Sequence, residues 1–258
     1  MKVSQEALDD VDRYLRNHDH LDLEDFRVEF TGTKRNIERY VRLRPELKIL
    51  EVGCGTGWFP ILMRLEGYDC EGLEISWQLR DKADSVARKW GLPSSGIRLG
   101  NIEDAEIGTL AYDVIVCNAV FEHVEDWKLG LHRVTRALRP GGVLLFSSTN
   151  KFSLISGEYR FPLYGWLPDK ARYALRRLMQ GSEIMKLGVD FHQFRHGQLR
   201  RAFQDLGYTV IHDRVDMKEP SDVQNLTKRS LLKLARRNKL VKTLALTFSP
   251  ATVFTCVK

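Results

Sequence analysis

The chain has little cysteine: four in 258 residues, at positions 54, 70, 117 and 256. None forms a CxxC pair or stands beside a candidate histidine ligand. The pattern argues against a zinc site or a disulfide framework and for reduced thiols in a cytoplasmic protein. No apolar run approaches the ~20 residues that a membrane span needs. Residues 1–12 carry acids and no apolar core, which argues against a secretory signal. Internal repeats and low-complexity tracts are also missing, which excludes a solenoid and a disordered chain. Acids are scarce in one part only. Residues 151–258 hold 9 Asp and Glu against 20 Lys and Arg, whereas 1–150 hold 25 against 20. A basic C-terminal part suits peripheral contact with an anionic membrane surface or a phosphorylated substrate, with solvated helix faces as the plainer explanation.

What the chain does have is alternation. Amphipathic spacing predicts N-terminal helices at 4–17 and 33–43, the second stopped by Pro45. Short apolar strands then alternate with helices: strand 48–53, helix 58–66, strand 68–75, helix 78–90, strands 96–99 and 112–117, helix 127–138, strand 143–147. Tyr112 to Cys117 is the continuous apolar run of a strand buried on both faces. The alternation breaks at 151–190, a stretch of aromatics, Pro and Arg, and resumes with helix 197–206, strand 208–211, a basic helix 222–238 and strand 252–257. This order predicts an α/β fold with a doubly wound, mostly parallel sheet. The divisions follow: an N-terminal helical cap (1–47), a ligand-binding core (48–150), an inserted lid (151–190) and a C-terminal completion of the sheet (191–258).

The sharpest motif is Glu51-Val-Gly53-Cys54-Gly55-Thr-Gly57, directly after the first strand. Glycines there let the chain turn tightly and let a ligand approach the backbone. The nicotinamide fingerprint GxGxxG would need glycine at 58, where this chain has Trp58. An acid followed by GxGxG resembles the class I, Rossmann-like S-adenosylmethionine-dependent methyltransferases. The insertion, with Asn150, Glu158-Tyr-Arg-Phe-Pro-Leu163 and Trp166-Leu-Pro168, resembles those of their broad type 11/23 grouping, and the resemblance to the family extends over most of the chain. It implies a seven-stranded Rossmann-like sheet and S-adenosyl-L-methionine as cofactor. It also implies the residues that hold it: Glu51, Gly53, Cys54, Gly55 and Gly57 in the loop, and Glu74 on the ribose diol with Ile75 beside it. Asn101 and Ile102 fall at the adenine, where Asn101 replaces the family's usual acid. Asn118 and Ala119 fall beside the methionine part.

Phe121-Glu122-His123-Val124 resembles the Glu-His element of ubiquinone-precursor O-methyltransferases. Those enzymes carry a further carboxylate three residues before that glutamate, where this chain has Ala119, so no metal site is expected. His123 then stands either as a general base or as part of a turn that orders the loop. His192, in the segment 190–196, is the second catalytic candidate, facing the acceptor. The implied activity is methyl transfer to a small-molecule or lipid-like acceptor, with O-methylation favoured. Two rivals are an RNA methyltransferase and a non-catalytic cofactor-binding partner. Against nucleic acid, the fourth strand ends in Asn-Ala-Val-Phe and not in the Asn/Asp-Pro-Pro-aromatic element of amino-methylating nucleic-acid enzymes.

Overall fold

The computed structural model describes Leu15 and residues 22–156, 161–180 and 191–258. Apart from Leu15, the helix expected at 4–17 lies outside these residues. Seven strands form one sheet: β1 (Lys48–Val52), β2 (Asp69–Glu74), β3 (Ile97–Leu99), β4 (Tyr112–Asn118), β5 (Leu138–Thr149), β6 (Val210–Asp213) and β7 (Ala251–Val257). Their spatial order is β3-β2-β1-β4-β5-β7-β6. The first five run parallel, and β7 is antiparallel to both β5 and β6, with Phe146 opposite Phe254. This is the Rossmann-like α/β sheet expected from the alternation. The chain order reverses between β1 and β4, the switch point that opens a crevice beyond the strands' carboxyl ends.

Helices cover both faces. On one side lie α1 (Arg27–Glu38), α2 (Trp58–Leu65) and α3 (Trp77–Lys89), which seat Phe30, Ile37, Phe59 and Ala83 against Ile49 and Val114. On the other lie α4 (Trp127–Ala137) and, beyond α5 (Asp169–Gln180) in the chain, α6 (His196–Asp205). These bury Trp127, Leu131, Phe203 and Phe194 against Phe146 and Phe254. A short α7 (Arg214–Met217), α8 (Leu226–Arg237) and α9 (Lys239–Thr247) lead into the last strand.

Three local expectations shift, each for a visible reason. The helix expected at 33–43 is α1, displaced upstream. Asp22 starts the segment by accepting from the Leu23 amide, its capping box with Asp25 winds a 3-10 turn over Leu23–Phe26, and the helix runs on from there. The fifth strand does not wait for Pro140-Gly141-Gly142 to finish a turn. β5 begins at Leu138, its pairing skipping from Tyr112–Leu138 to Val114–Val143, while Gly141 and Gly142 bond the main chain of Lys258. The basic helix expected at 222–238 forms as α8, starting four residues later, and a second helix, α9, follows it. Asn225 caps the first through the Lys228 amide, and Asn238 ends it and caps the second by accepting from the Leu240 and Val241 amides.

Candidate functional site

The loop after β1 is shaped by glycines at positive φ, +66° at Gly53 and +73° at Gly57. A Cβ at Gly53 would lie 2.3 Å from Cγ2 of Val120, and one at Gly57 would lie 2.6 Å from Cδ1 of Ile97. Only glycine satisfies both the backbone conformation and the close approach. Gly55 donates its amide to Oε2 of Glu74 at 2.8 Å, and Ser76 donates to Oε1 at 3.0 Å. The carboxylate at the end of β2 therefore ties the loop to the head of α3. Burial pushes the Glu74 carboxyl above the usual range, against the pull of the amides of Ser76, Gly55 and Ile75. Each oxygen keeps a further lone pair for a ligand.

Glu51, one residue from the end of β1, is 5% exposed, and its Oε2 has no hydrogen-bond partner. Burial, and then the neighbouring carboxylates of Glu74 and Glu29, push its pKa well above the glutamate range. Cys54 is buried beside it, and burial raises its thiol in the same direction.

Glu51 opens onto a cavity of about 450 Å³ at the carboxyl edge of the sheet. Asn118, Ala119 and Glu122 close one side, with Trp58 and Phe59 of α2 nearby; Asn150, Ser153 and Gly165 come from the insertion, and Arg214 from α7. Asn118 accepts from the Ser147 hydroxyl. Ala119 stands at φ +53°, a left-handed conformation rare for a residue with a side chain, and donates to the Ser147 carbonyl at 3.0 Å. Glu122, 2% exposed, accepts from the Ser148 hydroxyl at 2.6 Å. Gln193 adds a buried Nε2 donor without a partner. Arg214 gives Ser249 Oγ a hydrogen bond at 3.1 Å, and burial lowers its pKa.

The structure divides the residues singled out in the sequence. Glu51, Asn118 and Ala119 line the cavity; Gly53, Cys54, Gly55, Gly57, Glu74, Ile75, Asn101 and Ile102 are not among its lining residues. Asn101 folds its side chain onto Glu103, accepting from that amide at 3.0 Å and donating to that carboxylate at 3.0 Å, and Ile102 is 4% exposed in the core. Neither histidine is among the lining residues either. His123 is half-buried on the 3-10 turn Phe121–His123. The ring of His192 packs on Trp127 and Phe194, its Nε2 2.9 Å from the Glu125 carbonyl, while its amide donates to the Glu122 carbonyl at 3.2 Å. A neutral ring in that contact donates from Nε2. The sequence pattern points to His123, whereas the 3-10 turn puts the neighbouring carboxylate of Glu122, not the imidazole, in the cavity wall.

Comparisons with known proteins bear on the family and the fold. A family profile described as a methyltransferase domain matches residues 26–213. The ubiquinone biosynthesis O-methyltransferase of Rickettsia prowazekii is 28% identical over 151 residues, 56% of this chain and 58% of that protein. The chain thus matches little more than half the length of that relative. Among solved structures, an S-adenosylmethionine-dependent methyltransferase from Mesorhizobium loti superposes with a TM-score of 0.57 at 19% identity, covering 91% of this chain and 99% of the other. The phosphoethanolamine N-methyltransferase 2 of Haemonchus contortus, solved with phosphomonomethylethanolamine and S-adenosylhomocysteine, gives a TM-score of 0.59 at 13% identity. That likeness covers 98% of this chain and 60% of the other. At such identities the likeness is one of fold.

Proposed function

The chain belongs to the methyltransferase-domain family, and from that premise we propose that it transfers the methyl group of S-adenosyl-L-methionine to a hydroxyl of a small molecule held in the cavity. The observation that carries the reading is Glu51: a buried carboxylate with an unpartnered oxygen, opening onto the cavity beside the glycine loop. An unpaired buried acid is costly, and a cationic ligand group is what would offset it. The ammonium of the cofactor's methionine part fits that oxygen. Glu74 takes the ribose diol, with Gly53, Cys54, Gly55 and Gly57 giving backbone room and Ile75 flanking the sugar. Asn101 and Ile102 take the adenine, and Asn118 and Ala119 the methionine chain.

When bound, the cofactor supplies an electrophilic methyl group on its sulfonium. The protein's own contribution is alignment, proton transfer and exclusion of water. Glu122, oriented by Ser148, receives the proton of the acceptor hydroxyl. His192 works at one remove, its ring and amide fixing the 122–125 backbone that carries Glu122; His123 orders the same turn. The insertion 151–190 closes over the acceptor as a lid, its described base rooted by Tyr164, which is buried. The similarity to an enzyme named for O-methylation supports a hydroxyl acceptor, and the basic C-terminal surface keeps phosphorylated and membrane-borne acceptors in view.

Calorimetric titration with S-adenosylhomocysteine tests the first half of the reading. A screen with labelled cofactor over phenols, quinone precursors, sugars, lipids and RNA tests the second. Glu122→Gln is expected to lower kcat for the acceptor found by about 10²-fold or more while leaving S-adenosylhomocysteine affinity within a few-fold. Tight cofactor binding with no transfer to any acceptor would favour a non-catalytic partner protein, and transfer to RNA alone would replace the small-molecule reading.

A further inference from the structure

The two helices that precede β7 carry a surface that the core does not need. Their inward faces supply Ala235 and Leu246, with Leu232 and Val241 packed alongside, to a small cluster around Val215. Five further leucines point outward, among them Leu226 at 72%, Leu231 at 55% and Leu240 at 68% exposed. On α8, Leu231 and Leu234 are three residues apart, share one side of the helix and are both exposed; on α9, Leu240 and Leu244 are four residues apart and share one face. Residues 226–247 contain seven Lys and Arg and no acid. Some of that charge is engaged inward, as where Lys242 meets Asp213 at 2.8 Å and Arg236 bonds main-chain carbonyls at 2.8–3.2 Å. Lys228, Lys233, Arg237 and Lys239 stand exposed at the flanks of the leucines.

This strip runs to the mouth of the cavity. Phe248, directly after α9, stacks on Trp166 with ring centroids 6.2 Å apart. Trp166 in turn donates from Nε1 to the Ser153 carbonyl at 3.1 Å, and Ser153 lines the cavity. Beside it Leu163 bonds the carbonyl of Leu154 at 2.9 Å, and both leucines are exposed. Exposed leucines flanked by cations, with no acid among them, match one kind of partner. A second copy of the same strip would bring like charges together. A nucleic acid would pair with the cations but leave the leucines in water. An anionic bilayer takes both, the leucines entering the acyl boundary and the cations meeting the headgroups.

We propose that the α8–α9 surface, continued by Phe248 and Trp166, docks this protein on an anionic lipid bilayer, with the cavity mouth at the interface, so that the acceptor is an amphipathic molecule taken from the membrane. The docking claim stands on the surface alone; the statement about the acceptor rests on the methyltransferase reading. The test uses the full chain with phosphatidylcholine vesicles, with and without phosphatidylglycerol. Partition into the anionic vesicles that weakens with added salt is the expected result, with little partition into pure phosphatidylcholine. Lys233→Gln and Arg237→Gln should each cost about fivefold in partition. The pair Leu240→Ser and Leu244→Ser should cost at least about tenfold. All three variants should keep wild-type circular dichroism and S-adenosylhomocysteine affinity. Equal partition into both vesicle types, or variants that partition like wild type, overturns the proposal. So does sedimentation showing a dimer that the leucine variants dissolve, or RNA binding without vesicle binding. Partition without S-adenosylhomocysteine binding by the wild-type chain would instead overturn the enzyme reading and leave the docking surface standing.

Discussion

Glu51→Gln should make the ligand-free protein more stable and the cofactor complex weaker. Both effects come from one atom, the buried Oε2 that no protein group satisfies. Burial is the main reason its carboxyl titrates well above the glutamate range, with the charges of Glu74 and Glu29 adding to it. A native pKa raised above the unfolded one means that the folded state holds the proton more tightly. The associated stability is complete below the unfolded pKa and is lost as pH rises toward the native pKa. Glutamine keeps the shape and removes the charge, so the variant's advantage is absent in acid, grows as pH rises past the ordinary glutamate range and levels off above the native pKa. Exchanging an unpaired buried charge for an unpaired neutral amide is worth about 1–3 kcal/mol at neutral pH. In a chain of this size that is about 2–4 °C in Tm for each kcal/mol. Loss of a charge-assisted contact to the methionine ammonium should cost about tenfold or more in S-adenosylhomocysteine affinity. A control isolates the contact: 5′-methylthioadenosine lacks the amino acid part and should bind wild type and variant alike. A variant that melts at or below the wild type at neutral pH refutes the electrostatic argument. Equal loss of both ligands refutes the placement of the ammonium.

Glu74→Ala leaves the amides of Gly55 and Ser76 without their acceptors and should lower S-adenosylhomocysteine affinity about ten- to a hundredfold; calorimetry with an unchanged Kd would sink the ribose assignment. Gly165→Ala places a Cβ 2.6 Å from the Lys151 carbonyl, so the base of the insertion must shift, at about 1–3 kcal/mol. Its kcat/KM toward the acceptor should fall while S-adenosylhomocysteine affinity stays within a few-fold, and equal loss of both would place the insertion in the core and not in a lid. Turnover should be unchanged by excess chelator, because Ala119 offers no ligand beside Glu122 and the described residues hold no cluster of three metal-binding side chains; activity abolished by chelator and restored by magnesium would show that other oxygens complete a site.

The sheet was legible because its parallel strands are buried on both faces. Val114 to Cys117 leaves no polar alternation to misread, and β1, β2 and β4 are each followed by a helix of different period. The glycine loop was legible because its backbone conformations exclude other residues. Direction was not: nothing in the apolar pattern of Ala251–Val257 distinguishes an antiparallel strand from a parallel one. The helix that follows Asn238 was missed, since an asparagine that ends one helix reads as a stop until its side chain is seen capping the next turn. The cavity was the least legible part. Its wall joins β1, β4, β5 and β7 with α1, α2 and the insertion, and such adjacency exists only once the sheet has formed. Between Glu122 and His123, chemical preference favoured the imidazole, and the rotation of one residue on a 3-10 turn decided otherwise.

Asn150 joins these parts. It follows β5, is 3% exposed, and lines the cavity where the insertion begins. Its side-chain amide lies 3.0, 3.0 and 2.7 Å from the carbonyls of Leu246, Thr247 and Ser249. Carbonyls at a helix's end lack intrahelical partners and in a buried setting must find donors elsewhere. Here the two N–H groups of one amide are shared among the three, so the end of α9 is fastened to the root of the insertion and to the strand that carries Ser147 and Ser148. A side chain that satisfied only α9 would leave the helix pair free to drift from the cavity. One that satisfied only the insertion would leave the carbonyls of Thr247 and Ser249 without this donor. Holding both, Asn150 fixes the basic, leucine-bearing surface relative to the cavity wall that includes Glu122, and the proposed docking would use that coupling to present an acceptor to the site.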